Sequence, residues 1–580
     1  MKIFNKILVV LMLTGFSSCQ MFNLDLLDNP NEVTPEGVGV DFLYNNIQLT
    51  YRNFYNNTWN FTADVSRMTA MTNYTYNSAF QAVSYNGLWN NAYSQLFSDV
   101  ETLLEVAEAR GLDIHAGTAK LMKAYVMVSL VDIFGAVPYS QALQGTDVIS
   151  PASDGDGGKS VYAAAEALID DAIAQLDGTV AAGPASDIFY DGDPSKWITF
   201  AKTLKLKMYL NMSVGDASVK SKMDALIDGG DLIDSEDEDF QFQYSVERNN
   251  PNSRHPFYNN SYENEDGDYQ SNYYMWLLRA EKQLNGDALV DPRIRFYFYR
   301  QDPDLSNEDA TIWDCIYTAT PFTATGELES PPPHYTAVDP NMAFCIASID
   351  GYFGRDHGNG SGIPPDGQIR TVYGLYPAGG SFDDNSFDYT QNQGTDGALG
   401  QGINPILLSS FTDFMLAEAA LTLGTSGDPK AYLESAIDKS MEKVFGYQSF
   451  LTPGKVVGRT PTGEDITLKQ AFLDPLDSLK NSYITYVLDA YDATADEGEK
   501  LDIITKEFYI AAWGNGLEAY NMIRRTGKPA NLQPGIETSV GDFIRSAIYP
   551  AVHVNLNANV QQKSVTEQVF WDTNPPNFVK

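Results

Sequence analysis

Residues 119–142 read AKLMKAYVMVSLVDIFGAVPYSQA. Across 119–134, charge appears only at Lys120, Lys123 and Asp132, and apolar side chains fall on every face of a helical wheel. A helix that is apolar all round is buried within a protein rather than laid on its surface. Gly135 and Pro138 end it, because glycine frees the backbone for a C-cap and proline cannot continue the hydrogen-bond ladder. A helix over 117–134 therefore predicts a fold with a helical centre.

Helical spacing recurs on both sides of this stretch. It covers 41–55, 84–110, the Ala-rich 160–176 ending near Gly178, and 197–211. Asp193-Pro194 suits an N-cap followed by proline at the first helical position. Asp428-Pro429 repeats that device before 430–445, which Gly446 ends. Further helices are expected near 405–423, 467–492, 499–512 and 515–525. Helix pairs of roughly 34–40 residues suggest a tetratricopeptide-like scaffold, although the consensus of that repeat is not visible. The fold class is mainly α, with the scaffold at about 41–240 and 400–530.

Between about 240 and 400 the pattern breaks. Pro, Gly, Asn, Asp and aromatics dominate, with brief β-type runs such as 295–299. So long a stretch is not one loop of a compact domain. It reads as packed irregular structure with short strands, carried on the helices.

The start of the chain has its own logic. Lys2 and Lys6 precede an apolar run at 7–13, and Phe16-Ser17-Ser18-Cys19 follows. The run is too short to span a bilayer, which takes about 20 apolar residues. Basic, apolar and small-residue regions in that order form a secretory signal, here 1–18. A cysteine at the cleavage point marks a lipoprotein signal. Cys19 would become the acylated first residue, each buried CH₂ contributing about 0.8 kcal/mol to membrane binding. Phe16 departs from the leucine usual at that position. The alternative reading is an ordinary signal with a chance cysteine.

The chain carries 76 acidic and 38 basic residues, a net charge of −38, which excludes nucleic acid and anionic lipid as partners. The acidic run 234–239 (DSEDED) reads as a solvated loop, with a divalent-cation site as the sharper alternative. Cys315 and Cys345 are candidates for a disulfide in an exported protein. Sequence does not decide it, because bridging needs Cα atoms within about 7 Å. The five histidines, 115, 255, 334, 357 and 553, are isolated, so no metal site is assigned.

Catalytic signatures fail on inspection. The run Gly157-Gly158-Lys159-Ser160 ends like a phosphate loop, but Ser153 stands where its first glycine belongs. Around Ser361, Asn359 and Ile363 break the nucleophile-elbow pattern. Asp302 and Asp304 begin a Ca²⁺-loop-like run that Asn307 and Trp313 contradict. An enzyme is therefore not expected, and a lipid-anchored glycosidase or peptidase is a minor alternative. Bound Ca²⁺ is left open.

Several segments resemble the SusD/RagB family of outer-membrane lipoproteins. The 119–142 stretch is similar to the family helix that ends in Phe-Gly-x-x-Pro-Tyr. The 190–213 stretch resembles its Gly-Asp-x-x-Lys-Trp start and Leu-Lys-Leu helix. Asp291-Pro292-Arg293 matches a family turn. Gly354-Arg355-Asp356-His357, Ile363-Pro364-Pro365-Asp366-Gly367 and Tyr376-Pro377-Ala378-Gly379-Gly380 resemble a subfamily signature. The 406–444 stretch resembles the family's Ala-Glu-Ala helix and its partner. Arg524-Arg525-Thr526-Gly527, Pro529, Tyr549-Pro550 and Phe570-Trp571-Asp572 resemble the closing segments.

The resemblance implies a single SusD-like domain over 19–580, with four tetratricopeptide-like helix pairs and a loop-rich face. It implies a surface-facing lipoprotein of the outer membrane that captures oligosaccharide and hands it to a SusC-like TonB-dependent transporter. Peptides are the alternative ligand. Aromatic residues suit sugar capture, since a ring stacks on a pyranose and a phenol bonds to water or hydroxyls. Tyr74, Tyr76 and Tyr85 lie in a Tyr- and Asn-rich segment and are the first candidates. Tyr273, Tyr274, Trp276 and Trp313 of the irregular region are the next. Burial in the core is the bland reading of each.

Within the signature, an Arg355–Asp356 pair locking a turn is the bland reading, and contact with ligand or transporter the sharp one. Arg524 and Arg525 read as capping or ion-pair residues.

Overall fold

A computed structural model describes residues 39–579, except 154, 156, 265–266, 304–329, 349, 361–369 and 391–392. Cys19, Trp313, Cys315 and the whole of the Ile363 to Gly367 signature lie outside the described residues.

The longer helices are α1 (Val40–Val65), α2 (Ser98–Arg110), α3 (Asp113–Phe134), α4 (Lys159–Leu176), α5 (Pro194–Met212) and α6 (Lys220–Gly229). The irregular region holds α7 (Pro256–Tyr262) and α8 (Asn272–Arg279). Then come α9 (Ser409–Leu423), α10 (Pro429–Phe445), α11 (Leu476–Ala493), α12 (Glu497–Ala511) and α13 (Gly516–Thr526).

Helix α3 is buried on nearly every face, as its composition requires. It packs against α1, α2, α4 and α5. Consecutive helices pair as α3 with α4, α5 with α6, α9 with α10 and α11 with α12, and α13 returns to α1. The mainly helical, paired scaffold expected from sequence is thus the one observed. Asp193 caps α5 by accepting from the Ser195 N–H at 2.9 Å, and Asp428 caps α10 by accepting from Lys430 and Ala431. Trp197, one turn into α5, is fully buried and donates Nε1–H to Asp187 Oδ2 at 2.7 Å.

The expectations fail in specific places. Helix α1 continues ten residues beyond 55, and α6 was not expected. The 84–110 stretch is helical, but a π-helical segment, Asn91–Phe97, precedes α2. The β-type run at 295–299 is a single helical turn, Ile294–Tyr297, before Phe298–Tyr299 pairs with Val372–Tyr373. The acidic run is not wholly solvated. Asp239 is buried, 2.9 Å from Lys443 Nζ on α10, and accepts from the Ser409 N–H at 2.7 Å.

The irregular region is joined to the scaffold at its neck. Strand Phe240–Gln243 pairs antiparallel with Ile403–Leu407, bringing its two ends together. Its middle is packed: α8 is buried along its length, and Arg293 of the Asp-Pro-Arg turn clasps Asp291 and donates to Ser440 of α10 at 2.9 Å.

Candidate functional site

Three segments converge beyond the C-terminal end of α1: residues 71–76, 355–360 and 533–543. Backbone bonds stitch them together. The Gly358 N–H donates to Met71 O at 2.9 Å, Ile536 N–H to His357 O at 2.8 Å, and Tyr76 N–H to Val540 O at 2.9 Å. The cleft beside them has a volume of 390 Å³ and is lined by Tyr76, His334, Glu537, Thr538, Asp542 and Phe543, with Arg67 behind. This is within the range of small-ligand sites.

The polar floor of this cleft is firmly held. Arg67 sits at φ 64°, a left-handed conformation uncommon for a residue with a side chain. Its guanidinium donates to Gln533 O at 3.0 Å and to Val65 O, and lies 5.7 Å from the Phe543 ring. Asp356 accepts from Asn272 Nδ2 at 2.9 Å, the Cys345 N–H at 2.7 Å and Gln533 Nε2 at 3.1 Å. Burial pushes its carboxyl up to about 6 despite these bonds. His357 is fully buried, with Nε2 3.1 Å from the Tyr76 hydroxyl, and burial followed by the Arg67 charge lowers its pKa well below the usual value. His357 is therefore a neutral ring at physiological pH. The Arg355 guanidinium lies 4.3 Å from the Tyr269 ring. The segment 355–357 is thus an internal support of the site.

Tyr74 alone among the described candidate aromatics stands in solvent, 45% exposed. Its ring lies over Gly360: a Cβ at that position would come within 3.1 Å of the ring and 2.7 Å of Thr72 O. Tyr76 is buried but lines the cleft.

The remaining candidates are core residues. Tyr85 packs edge-on against Phe61 and Phe134. Tyr273 donates to Asn531 Oδ1 at 3.2 Å, and Tyr274 donates to Ile510 O at 2.7 Å with its ring against Trp513. Trp276 is buried on the same helix. As solvent-facing platforms these four are corrected: Tyr85 is held among core rings, and α8 is driven inward by the apolar area it buries, with Tyr273 and Tyr274 against Tyr509 of α12. His334 and Glu537, which sequence reasoning missed, reach the cleft from segments with no periodic signal; His334 Nε2 lies 3.1 Å from Gly535 O.

Cys345 is disulfide-bonded, and Cys315, its expected partner, lies outside the described residues. Among the described residues, no group of three or more His, Cys, Asp or Glu is placed to hold a metal ion. No helix among them is long and apolar enough to cross a membrane.

Two family models match the chain: one described as starch-binding and associating with the outer membrane, over 30–319, and one described as SusD and RagB outer-membrane lipoprotein, over 400–565. The chain belongs to the SusD/RagB family of outer-membrane lipoproteins. Its place is the outer membrane, where it is held by lipid. A SusD/RagB family protein of Bacteroides thetaiotaomicron is 18% identical, with a TM-score of 0.62, over 93% of this chain and 100% of that one. A chitin-binding SusD homologue of Flavobacterium johnsoniae is 18% identical, with a TM-score of 0.58, over 93% and 99%. A SusD homologue of Bacteroides fragilis is 16% identical, with a TM-score of 0.59, over 90% and 94%. These likenesses show a shared fold. No curated protein matches the chain.

Proposed function

We propose that this protein captures an oligosaccharide at the cell surface and delivers it to a SusC-like TonB-dependent transporter, with Cys19 as its lipid-bearing residue. The observation that carries the reading is Tyr74, an exposed ring laid over Gly360 and two residues along the chain from Tyr76, which lines the 390 Å³ cleft. Such a ring offers a flat face for the apolar side of a sugar, and Glu537, Thr538 and Asp542 offer acceptors for its hydroxyls. The family description as starch-binding and the chitin-binding homologue support a glycan ligand. Binding without chemistry accords with the family's role as a capture protein.

The test is a binding screen of the soluble protein from residue 19, lacking lipid, against separate glycan and peptide libraries. A glycan hit weakened by Tyr74→Ala is expected. A peptide hit that ignores Tyr74→Ala would overturn the ligand class and the site. Delivery is tested by isolating the intact outer-membrane complex, in which a large β-barrel should co-purify.

A further inference from the structure

A second cleft, of 290 Å³, shares no residue with the first. Its wall is largely apolar, with Phe296, Tyr352, Phe382 and Phe472 as its aromatic part. Its charge runs against that of the molecule. The chain has twice as many acids as bases, yet three arginines and a single carboxylate, Asp350, line this cleft. Counting Asp383, which pairs with Arg300 at 2.6 Å, the guanidiniums still exceed the carboxylates.

Two of the arginines keep donors in reserve. Arg295 lies 4.5 Å from the Phe472 ring and is 31% exposed at its side chain. Among the described residues its hydrogen bonds use Nη1 alone, to Asp383 O at 2.8 Å and Asn385 Oδ1 at 3.0 Å, leaving Nε and Nη2. Arg279 holds Asp350 Oδ2 through Nε and Nη2, both at 2.7 Å, which among the described residues leaves Nη1. A guanidinium fork matches a carboxylate in shape and charge, and stacking on a ring fixes its plane. The apolar wall rewards a hydrocarbon body and gives a neutral sugar few partners for its hydroxyls.

We propose that this cleft is a second binding site, for a small aromatic carboxylate. The ring would lie against Phe296 and Phe472 and the carboxylate on Arg295 and Arg279. The site is independent of the glycan reading above.

The test is calorimetric titration of the soluble protein from residue 19 with phenylacetate, and with phenylethanol as its neutral counterpart. Phenylacetate is expected to bind in preference, more weakly as salt is raised, and about tenfold or more weakly in Arg295→Gln. Arg279→Gln should weaken it in the same direction, and Tyr74→Ala should leave it unchanged. Equal binding of the two probes, no phenylacetate binding at millimolar concentration, or binding indifferent to both arginine variants would overturn the proposal. A melting curve for each variant confirms that it folds, and if Arg295→Gln does not, Arg279→Gln and the probe comparison still decide.

Discussion

Arg525 of α13 grips Glu418 of α9 through two parallel bonds, Nε to Oε1 at 2.6 Å and Nη2 to Oε2 at 2.8 Å. The third face of the same guanidinium donates through Nη1 to Asn211 Oδ1 of α5 at 2.7 Å. One side chain thus ties three helices that are remote in sequence. Both partners are buried, so removing one leaves an uncompensated charge. Glu418→Gln is expected to cost about 3–5 kcal/mol in urea unfolding. Replacing both residues by Met should recover most of that loss, because no charge is then stranded.

Tyr74 and Tyr274 should behave oppositely. Tyr74→Ala is expected to leave the unfolding midpoint within about 0.5 kcal/mol of the parent and to weaken glycan binding. Tyr274→Ala opens a cavity beside Trp513 and should cost about 3–5 kcal/mol of stability. Equal effects of both on stability would place Tyr74 in the core.

Buried groups should pull stability in opposite directions below neutral pH: the carboxyls of Asp64 and Asp356 lower it as pH rises, while His255, His357 and His553, whose pKa values burial depresses, raise it as pH rises toward 6.5. Asp64 is half-buried near the end of α1 and accepts from Thr69 Oγ1 at 2.7 Å. Burial, then the charge of Asp268, pushes its pKa up from 3.8 to about 7. The folded state therefore holds a proton that the unfolded state has released, and stability from this group falls as pH rises from about 4 to about 7. Asp356, pushed up to about 6 by burial, adds a slope of the same sign. Lys563 reverses it: burial lowers its pKa from 10.5 to about 7, so the unfolded state binds more protons above 7 and stability grows with pH there. Relative to the parent, Asp64→Asn should gain a few kcal/mol at pH 8 with little change at pH 4, the difference growing between about pH 4 and 7. Denaturant midpoints across that range check it.

Gly402 lies where two glycine-bearing segments interlock. A Cβ there would sit 2.0 Å from Pro377 O and 2.7 Å from the Ala378 carbonyl carbon, both backbone atoms with no side chain to swing aside. Gly402→Ala is therefore expected to destabilise by more than the roughly 1–3 kcal/mol typical of overpacking, and to lower soluble yield.

Cys19→Ala should release the protein from membranes or leave it unprocessed, as fractionation would show. Normal cleavage with retained anchoring would remove Cys19 as the acylation site.

Helices with terminal punctuation were legible. Asp193-Pro194 and Asp428-Pro429 announced their starts, and Gly135 announced the end of α3. The second half of α1 was not, because Asn56, Asn57 and Thr58 are weak helix formers. There tertiary packing wins: Thr58, Trp59, Phe61 and Thr62 are all buried. Helix α6 escaped notice because Met223 is its one buried residue, which leaves no stripe to read.

The site was less legible than the frame. The exposure of Tyr74 was legible because its neighbours are Asn and Thr. The run Tyr273-Tyr274-Met275-Trp276 was misjudged because composition reveals a large apolar area without saying whether solvent or α12 faces it. Asp239 is similar: its partner Lys443 comes from a helix far along the chain, and nothing local distinguishes it from the exposed acids before it.

The contact of Tyr274 with Trp513 has a mechanical consequence. It joins the loop-bearing region to the helical frame through a common interior, and the strand pair at 240–243 and 403–407 draws the two ends of that region together. Moving that face apart from the frame would have to break this shared packing. If cargo is handed on as proposed above, the face and the frame are expected to move together on the Cys19 tether rather than one against the other.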